Sequence, residues 1–66
     1  MPFQKGETVR IIRPIGLARG YVGKIATVRQ ADKGHYYQTL ELFIPTEGGQ
    51  GRLVRASAPD VEPVSA

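Results

Sequence analysis

Glycine and proline fall so often along this chain that no long helix can form. The longest stretches free of both are residues 24–33 and 35–44. Proline removes a backbone donor and glycine weakens regular structure, so each marks a turn or an end. None of the intervening pieces repeats its apolar residues at 3.6-residue spacing, as an amphipathic helix would. Several alternate apolar and polar residues, the pattern of half-buried strands.

Four strands follow from that alternation. Residues 7–13, "ETVRIIR", set Val9 and Ile11 against Thr8 and Arg10, and Pro14 ends the ladder. Residues 21–30, "YVGKIATVRQ", form the second strand after the loop "PIGLARG". Strict alternation there puts Ile25 and Val28 on opposite faces. A β-bulge near Ala26 or Thr27 would bring both inward, with Gly23 at the bend. "ADKGH" reads as a turn, with Gly34 free to take positive φ. Residues 36–44, "YYQTLELFI", alternate most cleanly. Leu40, Leu42 and Ile44 share one face, while Tyr37, Thr39, Glu41 and Phe43 share the other. After "PTEGGQG", residues 52–56 make a short fourth strand. In "SAPD", Ser57 can cap a helical turn and Pro59 suits its start, which predicts one 3₁₀ turn. "VEPV" then gives a brief fifth strand.

Five short strands with a 3₁₀ turn before the last predict an all-β, five-stranded SH3-like small barrel. The domain is expected over residues 1–62, with 63–66 as a tail. Closure would remove sheet edges that otherwise invite aggregation. A chain of 66 residues buries only about 60% of its unfolded surface, so the core is marginal. It contains no cysteine to reinforce that core. No apolar run approaches the ~20 residues of a membrane helix, and "MPFQKGE" lacks the apolar region of a signal peptide. The expected location is cytoplasmic, without membrane insertion.

The charge is uneven. The formal net charge is +3. Residues 1–33 hold seven basic side chains against Glu7 and Asp32, whereas residues 34–66 hold Arg52 and Arg55 against four acidic ones. A basic half suits an acidic protein surface or a nucleic acid, and it also keeps a small domain dispersed.

"KGETVRIIRP" and "YVGKIATVRQ" together resemble the N-terminal half of photosystem I reaction-centre subunit IV, an SH3-like barrel. The shared positions are Gly6, Val9, Arg10, Ile11, Arg13, Pro14, Val22, Gly23, Ala26, Val28 and Gln30. The resemblance implies that fold, and in that family basic residues help dock ferredoxin. The third strand departs from the family pattern, having no basic residue, and "GGQGRLVRAS" replaces an asparagine-rich stretch. "ARGYVGKIATV" also resembles the KOW motif, whose barrels bind RNA or proteins.

Two functions follow as expectations. The first is a non-catalytic docking module, a small accessory subunit that meets an acidic protein surface or a larger complex. Its candidate contacts are Arg10, Arg13, Ile15, Leu17, Arg19, Lys24, Arg29, Tyr37 and Phe43. An outward Phe43 beside Tyr37 would make an apolar patch for a partner, or for a second copy in a homo-oligomer. The second is RNA or DNA binding, with the same cations on phosphates and Tyr21, Tyr36 and Tyr37 as stacking platforms. Catalysis is not expected. His35 is the only histidine, it falls on a turn, and no nucleophile or metal-ligand set accompanies it. No cofactor is expected.

Overall fold

The computed structural model describes residues 2–14, 19–46 and 48–64. The loop apolars Ile15 and Leu17 lie outside the described residues. The elements are β1 (Thr8–Ile11), a 3₁₀ turn η1 (Arg19–Tyr21), β2 (Ile25–Asp32), β3 (Thr39–Ile44), β4 (Arg52–Ser57), η2 (Ala58–Asp60) and β5 (Val61–Pro63). Every strand pair is antiparallel, and the five form one sheet in the order β4-β3-β2-β1-β5. The expected all-β class, strand count and 3₁₀ turn are present.

One face of the sheet carries the core. Val9, Ile11, Ala26, Val28, Leu40, Leu42, Ile44, Ala56 and Val61 are all buried. Phe3, Tyr21, Ala31 and Val54 pack against them, partly exposed. β3 behaves as its alternation demands, with Leu40, Leu42 and Ile44 inward.

β2 differs from expectation. The inward residues are Ala26 and Val28, and Ile25 lies outside at 42% exposure. The register shift comes later, between Val28 and Gln30, so Arg29 is the extra residue. The bulge lets Val28 pair with Leu42 and Ala31 with Leu40, all on the core side. A bulge at Ala26 or Thr27 is not needed, because the small Ala26 itself supplies the inward position. Residues 21–24 are not strand. Tyr21 closes η1, and Gly23, at φ +90°, sits in the turn before β2. β3 likewise begins at Thr39, which leaves Tyr36 and Tyr37 in the turn.

A flat sheet with no second layer would leave one face wet. Here core residues on that face have essentially no exposure, so the sheet must wrap over its own side chains. The connection from β4 to β5 sets how tightly. These strands occupy opposite edges, which a flat sheet would hold four spacings of ~4.8 Å apart. Only Ala58–Asp60 join them, in a 3₁₀ turn that rises ~2 Å per residue. The two edges therefore converge at this end. Among the described residues no ladder joins β4 to β5, so hydrogen bonds do not close the sheet.

Three contacts secure this shape. The Ser57 N–H donates to Asp60 Oδ2 at 3.1 Å, which fixes the start of η2. The Gln38 side-chain amide holds Phe3 at both backbone groups. Its Oε1 accepts the Phe3 N–H at 2.7 Å, and its Nε2 donates to the Phe3 carbonyl at 2.9 Å. Phe3 is thereby held against the core. The β2–β3 turn depends on Gly34, whose φ is +68°. A Cβ there would run into the Tyr37 carbonyl.

Gly34→Ala is expected to destabilise the chain by about 2 kcal/mol, combining left-handed strain with a backbone clash. Gly20→Ala, which meets open space, should change stability by less than ~0.5 kcal/mol. Urea unfolding of the two variants checks both.

Candidate functional site

The exposed cations and apolars gather where β1 ends and β2 begins. Alternation along β1 turns Arg10 away from the core, and the ladder places it directly opposite Ile25. Ile12 follows two residues later. Beyond Ile25 the chains stay together through two backbone bonds. The Ile11 N–H donates to the Lys24 carbonyl at 3.0 Å, and the Gly23 N–H to the Ile11 carbonyl at 2.7 Å. This pair brings Val22–Lys24 alongside Ile11 and Ile12.

One corner of the sheet thus presents Ile12, Val22 and Ile25, at 43%, 46% and 42% exposure. Arg10, Arg13 and Lys24, their neighbours along the chain or across the ladder, are all exposed. On the β5 side Glu62 lies opposite Arg10. The backbone of Arg19 lies in η1, immediately before this corner.

Arg29, Phe43 and Tyr37 lie elsewhere. Arg29 sits on the bulge, with its guanidinium carbon 5.8 Å from the Phe43 ring centroid, within cation–π range. Phe43 does face away from the core, but it is not an open patch. It is half-buried, and its ring lies so close to Gly51 that a Cβ there would overlap it. The β3–β4 loop and the Arg29 side chain cover it between them. Tyr37, 62% exposed, is in the β2–β3 turn and does not share a strand face with Phe43. The expected Tyr37–Phe43 patch is therefore absent.

The β2–β3 turn carries its own aromatic group. Tyr36 is 86% exposed, and the His35 ring stands edge-on to it with centroids 4.5 Å apart. This turn and the Arg10 corner lie at opposite ends of β2. Its eight residues separate them by roughly 25 Å at ~3.3 Å per residue.

A third feature joins η1 to the start of β4. The Arg52 Nη1 donates to the Tyr21 hydroxyl at 2.8 Å, across 31 positions of sequence. That hydrogen bond raises the Arg52 pKa above its ordinary value. A shallow cleft of about 340 Å³ opens beside it, lined by Tyr21, Thr46, Gly48, Gln50, Gly51 and Arg52. Thr46 shapes its floor, since its hydroxyl accepts the Gly51 N–H at 3.1 Å and its carbonyl the Gly49 N–H at 3.1 Å.

Sequence reasoning missed Arg52, Ile12, Val22 and Ile25 as surface features. The three glycines of "GGQG" are the sequence sign that this loop turns tightly. Among the described residues no group of three or more acidic or histidine side chains is placed to hold a metal. Among the described residues no helix is long and apolar enough to cross a membrane. Searches of protein-family models, curated proteins and solved structures find nothing that matches the chain.

Gly51→Ala is expected to push the Phe43 ring from its seat, at a cost of roughly 1–3 kcal/mol. The Phe43 ring resonances should shift with it. Gly48→Ala, whose added Cβ meets nothing within 4 Å, should leave those resonances in place. Thermal unfolding and ring-proton spectra of the two variants test this.

Proposed function

We propose that this chain is an SH3-like small barrel acting as a non-catalytic docking module for a protein with an acidic surface. The curled single sheet and the three-residue link between its edges support the barrel reading. The corner built from Ile12, Val22 and Ile25 within Arg10, Arg13 and Lys24 carries the functional one. An apolar centre with a charged rim is the anatomy of a protein interface. The apolar side chains supply area removed from water, and the cations select an acidic partner and speed its approach.

Nucleic-acid binding is the second reading, favoured by Tyr36 and Tyr37 standing exposed beside Lys33 and His35. Single-stranded binding needs stacking rings and phosphate-binding cations along one track. Here the cations Arg10, Arg13 and Lys24 lie at the opposite end of β2 from the tyrosines, so docking is preferred.

Affinity capture from the source cells is the test, with the wild type, Ile25→Asp, and the double variant Tyr36→Ala, Tyr37→Ala. One predominant protein is expected with the wild type and the tyrosine variant, and none with Ile25→Asp. Equal capture by all three would refute the corner. Titration with RNA and DNA oligomers over a salt series supplies the counter-test. Affinity that falls steeply with salt and disappears in the tyrosine variant would establish the nucleic-acid reading instead.

A further inference from the structure

The two edges of the sheet are not equivalent. On β5, the Ile12 N–H bonds the Asp60 carbonyl and the Val64 N–H bonds the Thr8 carbonyl. With the β1–β5 register, these bonds turn residues 60, 62 and 64 toward β1 and residues 61 and 63 outward. Neither outward residue offers a donor. The Val61 N–H is held by the Ala58 carbonyl, and Pro63 has none. This edge is blocked against further pairing.

On β4, the Ala58 N–H bonds the Gln38 carbonyl at 3.0 Å. The β3–β4 register then directs residues 52, 54 and 56 toward β3, and Leu53, Arg55 and Ser57 outward. The Ser57 N–H is taken by Asp60. Leu53 and Arg55 keep both N–H and C=O turned to the open side. Their side chains stand on the outer face, with Leu53 56% exposed. β4 contains two arginines and no acidic residue. Glu41 faces Arg55 across the ladder and offsets part of its charge, while among the described residues the partner of Arg52 is the neutral Tyr21 hydroxyl.

We propose that β4 is a strand-addition edge that takes an extended protein segment carrying a carboxylate and an apolar side chain two residues apart. The proposal rests on the reading that this chain docks a protein, and it names a second contact on that partner. Leu53 and Arg55 set the spacing. A strand bonded to both places its own side chains opposite theirs on the outer face, apolar against Leu53 and acidic against Arg55. A second copy of the chain fits poorly. Two-fold pairing about Val54 makes the two Arg55 side chains diagonal neighbours, about 7–8 Å apart on one face, where like charges oppose.

The probe is a blocked peptide, Thr-Thr-Glu-Thr-Val-Thr-Thr, titrated into the full chain and followed by backbone amide spectra. Binding is expected to slow hydrogen exchange at the Leu53 and Arg55 amides at least about tenfold at saturation. The same peptide N-methylated at Glu and Val should lose that protection. So should Leu53→Pro with the unmodified peptide, read at the Arg55 amide, since this change removes an outward donor and the apolar contact without breaking a β3–β4 bond; its fold is checked by circular dichroism. Equal protection by the methylated peptide would overturn strand addition. So would a dimer by light scattering that already protects these amides, or equal protection by an oligouridylate. Shifts confined to Arg10, Lys24 and Ile25 would overturn the edge while leaving the corner as the docking surface. Absence of any peptide response, with partner capture still lost in Ile25→Asp, would likewise reject the edge alone.

Discussion

Everything in this molecule follows from the three residues between β4 and β5. Ala58–Asp60 are too few to cross a flat five-stranded sheet, yet they connect its two edges. The sheet has to bend until those edges converge at the linked end, and bending covers one face. Val9, Ile11, Leu40, Leu42 and Ile44 are buried with no helix to cover them. The Ser57–Asp60 bond and Pro59 stiffen the link, so the curvature is built into the chain. A chain this small has little core to spare, and side-chain contacts from outside the ladders complete the enclosure. Gln38 holds Phe3 against the core, and Arg52 reaches across to the Tyr21 hydroxyl.

The same curvature decides what is left for function. With the inner face filled, chemistry is restricted to the outer face, the loops and the edges. The outer face is itself partly occupied. The β3–β4 loop folds over Phe43, and Arg29 stacks on the ring from the bulge. Two residues that read as contacts in the sequence thus stabilise one another. Among the apolar side chains left open are Ile12, Val22 and Ile25 near the start of β2, with Leu53 on β4.

The fold was legible where local rules act alone. Period-two alternation placed Leu40, Leu42 and Ile44 correctly, because β3 is an uninterrupted central strand. "SAPD" announced its 3₁₀ turn through Ser57 and Pro59. β2 was misread because a bulge shifts the phase without a compositional mark. Arg29, an ordinary polar residue, holds the extra position, and alanine at 26 and 31 fills inward sites that a larger residue would have announced. The surface was less legible still. Ile25 looked like core because it is apolar, and only the register opposite Arg10 shows it outside. The Tyr21–Arg52 bond and the Phe43–Gly51 contact join residues that no local pattern relates.

Edge chemistry adds a constraint that composition does not reveal. A sheet bent by a short link, with no ladder between its outer strands among the described residues, keeps two edges, and each must be managed. β5 is managed with a proline and a capped amide at its outward positions. β4 is managed differently, by charge, since Arg52 and Arg55 discourage pairing with another basic strand. Charge excludes one class of strand and admits its opposite, whereas a missing donor excludes all. The two edges are thus treated unequally, one through absent donors and one through charge. In the proposed docking role the corner would supply apolar area and the β4 edge directional backbone bonds.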